Sequence, residues 1–237
     1  MKLSESTINI LKSFAVINTG IEFKPGNVLQ TISPQKSIMA KAEIEDTLPA
    51  HGCFYELNRF LGVLSLFDQP QLDFNEKYVT VRDAKRSVDY TFADPQMIVT
   101  PPAKEIQIPD FEVEVDIKWA DISNALRAAN VMSLPEIAIS SEGSTINLEA
   151  ISSKNPTADK YTTTIDNNSS GKVFRAVFKL ENMKMMNFDY KVELSSKGIA
   201  KFTSLNNKTW KDEKQEIQTG SQLTYWIATE TQSSTFE

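Results

Sequence analysis

The sequence predicts an α+β protein of two domains built to one plan, and three observations carry that prediction. Most apolar residues alternate with period two in short runs between turn residues, the pattern of half-buried antiparallel strands. Four windows instead space their apolar residues as helices do. The resulting order, strand-helix-strand-strand-strand, is spelled four times, with a proline-rich stretch between the second and third copies.

In the first copy, Lys2-Leu3 leads into a helix over Ser4–Ile17. Ser4 is a suitable N-cap, Glu5 complements the helix dipole, and Ile10, Leu11, Phe14 and Ile17 share one face. Gly20 is placed to stop the helix. Strands are expected over Ile21–Lys24, Val28–Ser33 and Ser37–Ile44, the first two joined by a turn at Pro25-Gly26-Asn27. The second copy has a strand at Cys53-Phe54-Tyr55 and a helix over Leu57–Leu66, with Leu57, Phe60, Leu61 and Leu64 on one face. "QLDF", "YVTVRD" and "SVDYTF" follow as strands. The third opens with the strand Phe111–Lys118, "FEVEVDIK", and a helix over Ala120–Val131 that groups Ile122, Ala125, Leu126 and Ala129. Its strands are "EIAIS" and "TINLEAIS" around a Glu142-Gly143 turn, then "KYTTTID". The fourth has the strand Lys172–Phe178, a short helix around Leu180–Met186, and the strands "YKVELSS", "IAKFTS" and "LTYWIAT".

The segment Asp94–Asp110 holds four prolines and no periodicity, so it reads as an extended connector. The expected division is 1–93, a connector at 94–110, and 111–237, each domain an antiparallel sheet system with two helices on one face. All strand links are short enough for hairpins except Asn206–Ser221, which is expected to be a polar loop.

Composition excludes more than it assigns. The 237 residues carry a net charge of −6, which argues against a generic basic nucleic-acid coat, although the distribution of charge matters more than its sum. No run approaches the ~20 apolar residues of a membrane span, and "MKLSEST" lacks the apolar core of a secretory signal. The single cysteine, Cys53, fits a reducing cytoplasm. Glycosylation patterns at Asn168 and Asn207 therefore carry little weight.

Catalytic chemistry is sparse. One His and one Cys exclude most His/Cys metal sites, and His51, in a turn before a strand, is expected to be an exposed loop residue. Glu112, Glu114 and Asp116 share one strand face, which suits a solvated face better than a hard-metal site. Ser170-Gly171-Lys172 lacks the spacing of a phosphate loop. No catalytic residue, metal or cofactor is expected.

The helices are more informative. Each carries one cation, Lys12, Arg59, Arg127 or Lys184, past an acid at its start: Glu5, Glu56, Asp121 or Glu181. None of the cations has an acid four residues away. With Lys2, Lys118 and Lys179 just before three of the helices, a mildly basic helical face and an acidic sheet and loop face are expected. Such a face suits weak, sequence-independent, salt-sensitive phosphate contact.

This plan resembles the ring-shaped DNA sliding clamps, most nearly the trimeric clamps of tailed phages, the DNA polymerase accessory proteins. The resemblance runs through Met1-Lys2-Leu3-Ser4, Leu11-Lys12, Phe14 and Ile17-Asn18-Thr19-Gly20, then "LNRFLGVLSL" (Leu57–Leu66) and "ENMKM" (Glu181–Met185), and covers essentially the whole chain. It implies a non-enzymatic processivity factor, a head-to-tail homotrimer around duplex DNA with helices inside and sheets outside. It also implies tethering of the replicative polymerase, an ATP-driven clamp loader, a role in late transcription, and action in the host cytoplasm. Carried over by position, Lys12, Arg59, Arg127 and Lys184 would face DNA, with Lys2, Lys118 and Lys179 adding to them. Subunits would join through Val88, Tyr90 and Phe92 against Tyr161, Thr163 and Ile165. Met39, Ile98, Val99, Pro101, Trp226 and Ala228 would form a partner-peptide groove. Strand alternation allows only one of Tyr225 and Trp226 to face the core. The loop Asn206–Ser221 is longer than the phage pattern. Two rival readings are a β-rich phage assembly protein with no DNA role and a carboxylate nuclease on Glu112, Glu114 and Asp116.

Overall fold

The computed structural model describes residues 1–102, 110–155, 157–167, 170–205, 208–211, 217–219 and 222–237. The chain forms two compact units: Met1–Glu105 with Asn206–Thr224, and Ile106–Leu205 with Tyr225–Glu237. Residues 206–224 thus go with the first unit rather than the second, and the Glu43 amide donates to the Gln222 carbonyl at 3.0 Å.

The first unit begins with α1 (Glu5–Ile17). The Ser4 Oγ caps it by accepting from the Thr7 amide at 3.2 Å, and the Ser4 amide donates to Asp46 at 2.8 Å. The expected face of Ile10, Leu11, Phe14 and Ile17 is buried. The stop differs from expectation. Asn18, not Gly20, ends the helix: its amide donates to the Phe14 carbonyl and its Nδ2 to the Ile32 and Val99 carbonyls at 2.9 and 3.1 Å. The backbone amide thus caps the helix, while the side chain fixes the extended Asn18 against two distant carbonyls.

β1 (Ile21–Phe23) pairs antiparallel with β4 (Gly52–Phe54), and β2 (Gly26–Ile32) with β3 (Ile38–Leu48), which runs past its expected end at Ile44. α2 (Leu57–Leu64) buries Leu57, Phe60 and Leu64 and stops short of Leu66. β5 (Gln71–Phe74), β6 (Tyr78–Arg82) and β7 (Ser87–Thr91) form a three-stranded antiparallel sheet with β7 at one edge. Phe23, Phe54, Phe60, Tyr90 and Phe92 pack as one aromatic group, with centroids 4.3 to 6.4 Å apart. Burying each such ring contributes about 1.5–3 kcal/mol, which fixes α2 against β1, β4 and β7.

The second unit opens with β8 (Val113–Ile117), whose burial alternates as its sequence does, and α3 (Trp119–Val131), which buries Ile122, Ala125 and Ala129. β9 (Glu136–Glu142) and β10 (Thr145–Ile151) turn at Gly143, whose φ of 103° is a conformation glycine adopts freely. β11 (Tyr161–Asn167) and β12 (Val173–Lys179) complete the expected set, and β13 (Tyr190–Ser195) and β14 (Ile199–Ser204) follow. Within the described part of 206–221, where a loop was expected, β15 (Lys208–Lys211) and β16 (Ile217–Thr219) pair as an antiparallel hairpin belonging to the first unit. β17 (Leu223–Ala228) lies beside β14, and the unforeseen β18 (Thr235–Phe236) pairs with β12. One sheet has the order β11-β10-β9-β12-β18, with β11 at an edge, and β13 pairs with both β8 and β14.

Two expectations need correction. The fourth helix is a single 3-10 turn, Leu180–Asn182. The residues after it bury Met183, Met185 and Met186 together, and one face of an α-helix cannot cover positions i, i+2 and i+3. Tyr225 and Trp226 are both buried, because β17 is covered on both faces.

Candidate nucleic-acid interface

All seven nominated cations are exposed: Lys2, Lys12, Arg59, Lys118, Arg127, Lys179 and Lys184. Lys12 and Arg127 project from the middle of α1 and α3, opposite the apolar residues that anchor each helix. Lys118 is the residue immediately before α3, and its side chain makes no capping hydrogen bond. Lys184 stands outside any α-helix. Two cations are partly neutralised. The Arg59 guanidinium lies 3.6 Å from Glu56 at a spacing of three residues, a pairing missed by looking only four residues away. Lys179 lies 3.7 Å from Glu230. Among the described residues, no ion pair forms at Lys2, Lys12, Lys118, Arg127 or Lys184.

Lys179 and Lys184 meet in one groove of about 750 Å³, walled by Leu126 and Asn130 of α3. Lys154 joins them there and was not foreseen, because it lies in a turn after β10 rather than on a helix. Glu136, Glu181 and Glu230 balance the three lysines. Glu136 is buried and held by the Ser153 amide and hydroxyl at 2.6 and 2.8 Å. The groove is polar but carries no excess charge of its own.

The nominated interface residues fall on two strands that each have one neighbour in their sheet, β7 and β11, except Phe92, which lies one residue past the end of β7. Such an edge presents unpaired amides and carbonyls, a template for another chain. The side chains do different work. Tyr90 packs against Phe54 and edge-on to Phe60, and Phe92 packs edge-on to Phe54, so both face their own unit's core. Partial burial pushes the Tyr90 hydroxyl above its ordinary range, against the pull of Arg59. Val88, Tyr161, Thr163 and Ile165 are half-buried. What β7 offers a partner is therefore its backbone edge.

Of the residues nominated for partner peptides, Met39, Ile98 and Trp226 are buried, Pro101 and Ala228 are half-buried, and Val99 keeps 41% of its surface. Glu112, Glu114 and Asp116 do not act together. Glu114 pairs with Lys191 at 2.7 Å, and Glu112 accepts from the Ser196 hydroxyl and amide at 2.5 and 2.9 Å. His51 is exposed as expected but not alone: its Nε2 lies 2.8 Å from Glu22. Partial burial pushes the Glu22 carboxyl up, but hydrogen bonds with His51 and Lys24 outweigh it and hold the group below its ordinary range. No helix is long and apolar enough to cross a membrane among the described residues.

Comparison with known proteins places this geometry. Residues 2–100 match the family described as DNA polymerase processivity factor, and residues 114–210 match the gp45 sliding clamp, C terminal. The chain is 31% identical over 236 residues to the sliding clamp of Vibrio phage KVP40, covering 97% of this chain and 99% of that one. It is 32% identical over 203 residues to the sliding clamp of Enterobacteria phage T4, covering 84% and 89%. The crystal structure of Proliferating Cellular Nuclear Antigen from Entamoeba histolytica is similar in fold at 12% identity, with a TM-score of 0.65 over 97% of each chain.

Proposed function

This chain belongs to the DNA sliding-clamp family, the polymerase processivity factors, and on that premise we propose how it works. Three copies join head to tail into a ring that encloses duplex DNA and tethers the replicative polymerase without catalysing a reaction. The observation that supports this reading is that the two nominated strands, β7 in one unit and β11 in the other, are both edge strands of their sheets. Pairing of two different edges, one from each unit, makes a heterologous contact, and heterologous contacts that close give rings. Each edge offers unpaired backbone groups, and in this reading another copy pairs with them.

Inside the ring, Lys12 and Arg127 contact phosphates, with Lys2, Arg59, Lys118, Lys179 and Lys184 around them. Phosphate contacts carry no sequence information, and a few exposed cations bind weakly enough to slide. Retention then comes from topology rather than affinity. The acidic balance of −6 is compatible with this, because only the distribution of charge matters to the enclosed polyanion. A separate ATP-driven loader opens and closes the ring, and the clamp acts in the host cytoplasm, where it also supports late transcription. Partner peptides contact Val99 and Pro101, nominated residues that retain surface.

Mass in solution tests the assembly. The expected result is the mass of three chains, maintained on dilution into the micromolar range. A monomer at high concentration contradicts the ring and favours the alternative of an assembly protein with no DNA role.

A further inference from the structure

The chain's one cysteine lies in β4 and its one histidine immediately before that strand, beside β1. Antiparallel register sets Glu22 opposite Cys53, and His51 lies two residues before Cys53, so period-two alternation turns the three side chains the same way. The His51 Nε2 is 2.8 Å from Glu22 Oε1 and 3.9 Å from Cys53 Sγ, and the three donor atoms lie within 4.8 Å of one another. We propose that Glu22, His51 and Cys53 bind a zinc-class divalent cation, with water in the fourth position.

The donor set selects the ion. A thiolate, an imidazole and one carboxylate oxygen suit a borderline-soft cation that accepts four ligands, whereas magnesium and calcium require six or more oxygens. The geometry is near what is needed. Zinc bonds of roughly 2.0–2.3 Å at tetrahedral angles place donors roughly 3.3–3.7 Å apart. The observed separations differ from this by about 1 Å or less, within reach of rotation about the His51 and Glu22 side-chain bonds.

The framework holds two ligands and leaves the third open to solvent. Cys53 is buried, and its carbonyl accepts from the Ala93 amide at 2.8 Å, which fixes the strand that carries the sulfur. Lys24 takes the other oxygen of Glu22, Oε2, at 3.1 Å and leaves Oε1 directed at the imidazole. The His51 side chain is 49% exposed and gives the ion its way in. On binding, the sulfur exchanges its proton for the metal and the proton passes to solvent. The bound ion ties β1 to β4 beside the end of β7.

The test uses the full-length, tag-free, reduced chain titrated with Co²⁺ as a spectroscopic substitute for zinc. The expected result is one equivalent bound, with visible bands of tetrahedral cobalt and a sulfur-to-cobalt charge-transfer band, all bleached by Zn²⁺. His51 lies at the surface, so H51Q keeps its fold by circular dichroism while losing at least tenfold in affinity. C53S loses the charge-transfer band. Absence of that band in the reduced wild-type chain overturns the proposal, as does a titration that H51Q leaves unchanged.

Discussion

The Tyr190 hydroxyl donates to the Met186 carbonyl at 2.7 Å from a ring with no exposed surface. The equally buried Tyr225 hydroxyl accepts from the Met186 amide at 3.2 Å. Two tyrosines therefore satisfy both backbone groups of one residue, in the segment where the sequence pattern predicts a helix. Lys184 sits two residues upstream, so the position of a nominated DNA contact is set by side chains rather than by a helical ladder. Burial keeps the Tyr190 hydroxyl protonated far above its ordinary range, so the donation persists at every working pH.

Tyr190→Phe removes one of two donors to the Met186 carbonyl, which keeps the Phe188 amide at 2.9 Å. The expected loss is about 0.5–1.5 kcal/mol of unfolding free energy, the net worth of one hydrogen bond, read by urea denaturation. An unchanged midpoint contradicts the role assigned to the hydroxyl.

Lys12→Ala combined with Arg127→Ala removes two exposed cations that have no ion pair among the described residues. The mass of the proposed trimer should be unchanged, while residence on DNA shortens and its salt dependence flattens, by up to about one unit of slope for each phosphate no longer neutralised. Dissociation of the trimer would instead assign the two side chains to assembly.

Much of this was legible in the sequence, for identifiable reasons. Ser4, Ile10, Leu11, Phe14 and Ile17 report α1 because capping and helical spacing are local signals. β8 alternates in sequence and in burial alike. Local signals fail where a distant residue intervenes. Asn18, the last capping residue of α1, is held by the carbonyls of Ile32 and Val99, and Tyr190 and Tyr225 hold the chain at Met186. Glu22 joins His51 only through the β1–β4 register, which no spacing along the chain reveals. The edges β7 and β11 were nominated by resemblance to a family, since a strand's sequence does not state whether one or two neighbours flank it.

Acid should expose the contribution of Glu112. Partial burial pushes its carboxyl up, but the Ser196 hydroxyl and amide and the Lys172 charge outweigh that and hold it below its ordinary value of 4.5. A carboxyl whose folded value is depressed stabilises fully above the unfolded value and loses that contribution as pH falls through the folded one. Glu112→Gln should therefore be less stable than wild type near neutrality, and the two should converge as pH falls through the carboxyl's depressed folded value, as measured by thermal melts across pH. A gap that is constant with pH rules out the carboxylate as its source.

Gly52→Ala tests the packing at the end of β7. A Cβ at Gly52 would lie 2.8 Å from the Phe92 ring, which is itself packed against Phe54. The overlap should cost about 1–3 kcal/mol, lowering Tm by roughly 2–4 °C for each kcal/mol. Phe92→Leu in the same chain should recover part of the loss, and additive effects would show that the two sites do not touch.

The central claim is topological, so its most direct test is retention on DNA without free ends. The clamp is loaded with loader and ATP onto nicked circular duplex, separated from free protein, and the circle is then cut once. The account predicts stable retention on the circle and rapid release after linearisation, with release blocked when the ends are capped by bound protein. Release at the same rate before and after cutting would contradict a ring around DNA.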